Sequence, residues 1–484
     1  MTSTPARPDT PPAAVRQSPV APTRRTAPGG ARRRRAALAL LVSAQFVVML
    51  DTSIVNVALP SIQDELGLSP AGLSWVVNAY VLAFGSLLLL AGRAADVVGR
   101  RRMFVVGAAV FTLGTLLAGT AGNEGVLVTA RVVQGAGAAA LSPAAMSLLL
   151  AMSPGPARAR AMSAWGAAST LGGATGVLAG GLLTGTLGWT WVFFATVPVS
   201  LAMIGGARRL LDDAGARHRR RFDALGAATI TAAVLVLIHA ALAVPEHGWA
   251  SPSVLGGAAL AGLLLIAFTR VERRVADPLV PLDLFRARRV GAGVALAVLG
   301  GAARASTFVL IALYLQQALH MAPQTAGLAM VPTSLAGFVA SVSLLPRVLR
   351  RFGPERSMVI GLVVLATGHL WIARGPSSAL YLLDVLPGLL LVAVGVALSF
   401  TPTTMVVVGA IPAERAGLAS GLASSSTQVG AAVGVAAFTA VAAAVSGGAG
   451  HVVSHDGFAA AFVAAAVVAV ATAALGAWTL VRQG

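Results

Sequence analysis

The sequence predicts an all-α integral membrane protein of about fourteen transmembrane helices, built as two six-helix bundles with two further helices inserted between them. Three observations carry this. The chain of 484 residues is 57% hydrophobic and 11% charged, with a mean hydropathy of +0.82, too apolar for one soluble core under a charged surface. Apolar runs of roughly 18–25 residues recur along it, the length a helix needs to cross ~30 Å of hydrocarbon. The basic residues, all arginine because no lysine is present, cluster in the short segments between those runs, as cytoplasmic loops of membrane proteins do.

Residues 1–36 come first, proline-rich and basic at Arg24, Arg25 and Arg32 to Arg35 with few large apolar side chains; they read as a disordered cytoplasmic tail. The run from Ala36 stays apolar for about 24 residues, too long for a signal peptide, and reads as an uncleaved first helix. Further spans begin near Gly72, Met103, Val126, Ala159, Trp189, Ala224, Val254, Val290, Thr325, Ser357, Ala379, Ala416 and Gly457. With these starts Arg100 to Arg102, Arg158 with Arg160, Arg217 with Arg219 to Arg221, Arg270 to Arg289, and Arg350 with Arg351 fall on one side. Connections around Asp64, Glu65, Glu124, Glu246, His455 and Asp456 fall on the other, so both termini are expected in the cytoplasm.

The two longest basic connections divide the chain. We expect a first bundle over 37–209, a linker over 210–222, the inserted pair over 223–272, a basic loop over 273–289 and a second bundle over 290–484. An internal repeat agrees with two related bundles: GRAADVVGRRR at 92–102 aligns with PRVLRRFGPER at 346–356, placing Gly99 over Gly353 and Arg102 over Arg356, while Asp96 is replaced by Arg350.

Charged residues inside spans carry the chemistry. Asp51 is expected about 12 Å from the outer end of helix 1 and Arg131 about 8 Å from that of helix 4, a shared depth. Each costs at least ~2.5–3.5 kcal/mol to insert, so each requires a partner or a water-filled cavity. A buried carboxylate whose protonation is exchanged against bound substrate is what proton-coupled transport needs, and a purely structural pair is the alternative. Gly172, Gly176 and Gly180 share one face of helix 5, with Gly181 adjacent, which admits a neighbouring helix at close range. Between helices 2 and 3, Gly92 and Gly99 bracket a turn with Arg93, Asp96 and Arg100, a charge set suited to latching helix ends on the cytoplasmic side. Arg304 lies mid-span in helix 9; it points to an anionic or acceptor-rich substrate, or to pairing with an acid such as Asp51. Gln45, Asn56, Asn78, Gln134 and Gln316 are further polar groups at membrane depth, suited to lining a cavity or to bonding between helices.

LDTSIVNVALP at 50–60, GRAADVVGRRR at 92–102 and LVTARVVQGAGAA at 127–139 stand in order with YLQQALHMAPQTAGLAMVP at 314–332 and RAGLASGLASSSTQVGAAVGVA at 415–436. Through these motifs the chain, from about residue 37 onward, resembles the fourteen-helix drug:proton antiporter branch of the major facilitator superfamily. The resemblance implies proton coupling at Asp51 with Arg131 and a cytoplasmic gate at Asp96 with Arg93 and Arg100. Val177 stands where the helix 5 motif usually has proline, and Thr190 and Thr196 stand where Arg and Asn are common.

Together these readings give a proton-driven exporter of small lipophilic compounds such as antibiotics or toxic cations, with a proton-coupled importer as the alternative and a non-transporter membrane protein behind it. An ATP-driven pump would need a phosphate-loop lysine, which a chain without lysine lacks. No H-E-x-x-H pair or cysteine set points to a metalloenzyme. The expected partners are a small lipophilic substrate, protons and the bilayer, with no nucleic acid, no cofactor beyond the proton motive force, and a functional monomer in the inner (plasma) membrane.

Overall fold

A computed structural model describes residues 28–155, 157–211, 223–376, 380–447 and 453–481. Thirteen continuous helical segments are long and apolar enough to cross a membrane. One of them, Thr325–Ala373, has 49 residues, about 74 Å at the helical rise and twice what a bilayer needs. It is two crossings, because Gly353 interrupts it at φ 73°, ψ 176°, a conformation open to glycine and unfavourable for residues with a Cβ. The crossings therefore number fourteen among the described residues.

The first half comprises α1 (Pro28–Leu66), α2 (Pro70–Val98), α3 (Arg100–Gly119), α4 (Glu124–Ala151), α5 (Ala157–Leu187) and the sixth crossing, split into α6 (Thr190–Phe194) and α7 (Val197–Leu210). The inserted pair is α8 (Ala224–His247) and α9 (Pro252–Glu272). The second half comprises α10 (Arg288–Leu313), α11 (Pro323–Ala329), α12 (Val331–Val339), α13 (Leu345–Ala373), α14 (Leu386–Gly409), α15 (Ala416–Val445) and α16 (His455–Gly476).

Helix α1 differs from the sequence reading at both ends. It begins at Pro28, so residues 28–36 are helix rather than tail, and it continues to Leu66 through Pro60. The N-terminal extension is anchored: the Arg34 guanidinium donates to the Met152 carbonyl at 2.6 Å and Arg33 to that of Arg209 at 3.4 Å. Arg101 likewise donates to Arg208, and Arg100 to Ala413. These bonds gather the basic connections onto one face of the bundle. The rest of the expected tail, the linker arginines Arg217 and Arg219 to Arg221, and the helix start expected at Ala379 lie outside the described residues.

Pseudo-symmetry runs deeper than the single repeat in the sequence. Gly99 and Gly353, paired by that repeat, both have positive φ, 110° and 73°, and both sit where one crossing turns into the next. The same spacing carries Gly176 onto Gly430 and Gly180 onto Gly434. In the first half Gly176 lets α5 settle on α1, where an added Cβ would lie 2.7 Å from the Leu50 carbonyl oxygen. In the second half Gly434 does this for α15 on α10, with an added Cβ 2.7 Å from the Ala302 carbonyl oxygen. Close backbone approach of this kind replaces the hydrophobic drive that lipid cannot supply.

The halves meet near the arginine-rich face. Gly92 of α2 packs on Gly417 and Gly421 of α15, Gly166 of α5 lies against Thr401 of α14, and Thr170 of α5 against Gly337 of α12. Helix α8 covers the α2–α15 seam, its Ile238 filling the space beside Gly85 and its His239 stacked on Trp75 at 6.0 Å. Trp75, Trp191 and Trp249 are exposed, as residues of an interfacial belt are, whereas Trp189 is buried in the first half. His369 is fully buried and stacked on Phe462.

Candidate functional site

Two polar assemblies stand out. The first lies inside the first half. Arg131 and Gln134 are three residues apart on α4 and so share a face, and that face meets Asp51 on α1. The Arg131 Nη1 donates to Asp51 Oδ2 at 2.8 Å, and the Gln134 Nε2 donates to Asp51 Oδ1 at 2.6 Å. Each carboxylate oxygen thus has a donor. Arg131 also reaches Gln134 Oε1 at 2.6 Å and, through Nε, the Val76 carbonyl at 3.1 Å. Gln134 in turn donates to the Thr115 hydroxyl at 3.0 Å. The guanidinium lies 4.3 Å from the centroid of the Tyr80 ring, within cation–π range. All of it is sealed: Asp51 is 0% exposed, Gln134 0% and Arg131 2%.

A buried charge pair is held mainly because loss of either partner strands the other. The glycine face of α5 sets where Asp51 sits, since Gly172, Gly176 and Gly180 press on α1 at Phe46, Leu50 and Ile54, on either side of it. Gly181 does not share this interface: it is exposed, with open space around it. With Val177 in place of the usual proline, α5 runs as one continuous helix from Ala157 to Leu187.

The second assembly joins the halves on the arginine-rich face. Asp96 near the end of α2 accepts from the backbone N–H groups of Gly417 at 2.9 Å and Leu418 at 2.8 Å. These are orphan donors in the first turn of α15, so Asp96 caps a helix of the opposite half and lies at its positive dipole end. Arg100 holds the carboxylate from the other side at 3.2 Å and donates to the Ala413 carbonyl at 2.9 Å. Gly92 and Gly417 leave the room this needs. Arg93, grouped with Asp96 by the sequence reading, instead donates to the Pro278 carbonyl at 3.3 Å, tying α2 to the loop after the inserted pair.

Two acids that sequence reasoning did not single out organise that loop. The Glu272 carboxylate accepts from the N–H groups of Leu279 and Val280, both at 3.2 Å, and Asp223 caps α8 by accepting from Gly226 at 2.8 Å. Asp223 stands three residues before a glycine at the head of an apolar run, a cap signal present in the sequence. Nothing local marks the partners of Glu272.

The cavity candidates separate. Gln134 belongs to the Asp51 network rather than to a cavity wall, and Gln45 is spent on the Ser169 hydroxyl of α5 at 2.8 Å. Asn56 and Gln316 are exposed and Asn78 is half-buried. Arg304 on α10 is buried at 4% exposure and takes no part in Asp51's network, its Nη1 directed at the Thr403 hydroxyl at 3.4 Å. The expected pairing of Arg304 with Asp51 therefore does not occur, because Arg131 and Gln134 occupy that carboxylate. No cluster of metal-ligating side chains is found among the described residues.

Comparison with known proteins places this architecture. The fold is similar to the proton:xylose symporter XylE, at a TM-score of 0.67 and 14% identity over 93% of this chain and 96% of that one. It is also similar to the human organic anion transporter MFSD10, at a TM-score of 0.65 and 15% identity over 92% and 99%. In sequence the chain is 38% identical to the puromycin resistance protein pur8 of Streptomyces alboniger over 80% of this chain and 78% of that protein. It is 38% identical to the cephamycin export protein CmcT of Amycolatopsis lactamdurans over 79% and 80%, and 35% identical to the lincomycin resistance protein of Streptomyces lincolnensis over 74% of each. The family model of the Major Facilitator Superfamily matches residues 41–435, and with fourteen crossings among the described residues, in two pseudo-symmetric halves, this chain is a multi-pass membrane protein that belongs to that superfamily.

Proposed function

We propose that this protein is a proton-driven exporter of small lipophilic compounds, antibiotics among them, working as a monomer by alternating access in the plasma membrane, without enzymatic activity or a bound cofactor. Relatives named for puromycin and lincomycin resistance and for cephamycin export favour export over the import alternative. The arginine-rich face is assigned to the cytoplasm by the charge of its connections, which puts both termini there.

The observation that carries the reading is the sealed Asp51–Arg131–Gln134 network. It is the kind of element that a single proton can switch. Protonating Asp51 cancels its charge, leaving Arg131 without a counter-ion, and turns one acceptor oxygen into a hydroxyl that opposes the N–H donor now bonded to it. Because α5 is seated on α1 around Asp51, a shift of α1 is transmitted to α5. The other end of α5 meets α12 and α14 at the seam between halves. Protonation and the opening of that seam are thereby linked.

The Asp96 latch supplies the second state. With Asp96 capping α15, the halves are held together on the cytoplasmic side, which is the outward-facing arrangement. Separating them there returns two backbone donors and a carboxylate to water, so the latch biases the equilibrium without preventing the change.

The test is gradient-driven efflux of a lipophilic dye from vesicles containing the purified protein. Asp51→Asn is expected to insert normally and to lose efflux driven by a pH difference, while exchange of substrate down its own gradient persists. Coupled efflux equal to wild type in Asp51→Asn excludes the carboxylate from coupling and removes this reading.

A further inference from the structure

We propose that Arg304 is the anion-binding group of the transport site, and that its free edge receives a carboxylate carried by the exported molecule. This deepens the export reading above and rests on it.

A guanidinium has five N–H donors in a plane. In Arg304 one nitrogen, Nη1, is directed at Thr403 Oγ1 at 3.4 Å, and that hydroxyl is itself fixed by donating to the Ser399 carbonyl at 2.7 Å. Nε and Nη2 have no hydrogen-bond partner among the described residues. These two nitrogens form one edge of the guanidinium, with parallel N–H bonds at the spacing of two carboxylate oxygens, the fork by which arginine binds carboxylates. The side chain folds back over Gly300, where a Cβ would lie 2.6 Å from Nη1. The Phe400 ring lies 5.8 Å from the guanidinium carbon. The arginine is therefore positioned from two sides, by Thr403 and by the room at Gly300, while its binding edge, buried like the rest of the side chain, is left without an acceptor among the described residues.

Charge balance leads to the same ligand. Asp51 and Arg131 cancel each other inside the first half, whereas Arg304, 4% exposed, forms no ion pair among the described residues. A buried guanidinium with unmet donors is destabilising unless something supplies the missing acceptors. A substrate carboxylate does so, and the half-buried Phe400 beside it suits an aromatic or apolar scaffold. The substrate class is then an organic anion on a lipophilic frame, rather than a cation, which Arg304 would repel.

The experiment uses the full-length protein in phosphatidylcholine nanodiscs and vesicles with two dyes on a common xanthene frame: fluorescein, which carries a carboxylate, and rhodamine 6G, a cation whose carboxyl is esterified. Fluorescein is expected to bind the wild type saturably. Arg304→Gln should weaken that binding about ten- to a hundredfold, the usual range for a lost charge-assisted contact, and Arg304→Lys, which keeps charge without the fork, should fall between. Rhodamine 6G is expected to bind the wild type far more weakly than fluorescein, and a melting temperature and size-exclusion profile of Arg304→Gln close to wild type show that the variant is folded. Absence of saturable fluorescein binding to the wild type, or equal binding by Arg304→Gln, overturns the proposal. Displacement of fluorescein by added phosphatidylglycerol but not by benzoate assigns the fork to a lipid headgroup and also overturns it. Fluorescein binding without proton-driven efflux of fluorescein would instead remove the export reading and leave the anion site standing.

Discussion

Asp51 on α1 and Arg131 on α4 meet at 2.8 Å in the interior of the first half, with Gln134 on the second carboxylate oxygen at 2.6 Å. A polar pair this deep is a liability unless both members are present. Removing one leaves an uncompensated charge, which costs roughly 3–5 kcal/mol. Arg131→Met should accordingly lower the melting temperature of the purified protein sharply, and the double variant Asp51→Asn with Arg131→Met should recover much of the loss. A double variant no more stable than Arg131→Met would mean that the two side chains do not depend on each other.

The seating of α5 on α1 gives a sharper contrast, because neighbouring glycines differ. Gly176 faces the Leu50 carbonyl and Ser53, whereas Gly181 faces open space. Gly176→Val is expected to cost about 1–3 kcal/mol by overpacking and to impair transport by displacing Asp51. Gly181→Val should leave thermal stability and efflux near wild type. Equal losses in the two variants would contradict a packing role for the stripe.

How much of this was legible in the sequence follows from what each feature depends on. Apolar runs and arginine connections are local, so the crossings and the shared face were readable. The exceptions were helix ends such as Leu66, where amphipathic turns continue past the apolar run. Asp51 and Arg131 were matched by depth alone, which helical rise supplies, and Gln134 was within reach because it lies three residues from Arg131 on the same face. The partner of Asp96 was not, since nothing near position 96 names a helix start at Ala416. Arg304 was recognisable as costly, and Gly300 lies one turn before it on α10, but its contact with Thr403 depends on how α14 crosses α10. The glycine repeat on α15 escaped notice because Gly430 and Gly434 stand among many other small residues.

The latch is testable through accessibility. Ser420 lies one turn beyond Gly417 on α15 and is fully buried beneath the Asp96 contact. The chain has no cysteine, so Ser420→Cys introduces a unique thiol. In an otherwise wild-type background it should react slowly with a water-soluble maleimide. Adding Asp96→Ala removes the acceptor for Gly417 and Leu418, and labelling should accelerate several-fold as the seam opens more often. Turnover should change more than apparent substrate affinity. An unchanged labelling rate would show that Asp96 does not hold the seam.

The inserted pair bears on the same seam through Arg93. The Pro278 carbonyl that Arg93 contacts sits in a loop held by two N–H bonds to Glu272, from Leu279 and Val280. Two neutral donors accepted by a carboxylate are stronger than ordinary backbone bonds, and without them the loop is left to the Arg93 contact and the packing of Leu279 and Val280. Glu272→Ala should release it. Trypsin reads this directly, because without lysine it cuts only after arginine, and Arg273 and Arg274 are exposed at the head of the loop. Cleavage there should quicken several-fold in Glu272→Ala, and Arg93→Ala, which removes the second anchor, should quicken it less. If Glu272→Ala is cut no faster than wild type, the loop is held by other means, and the path from α9 through Pro278 to α2 does not carry force to the latch.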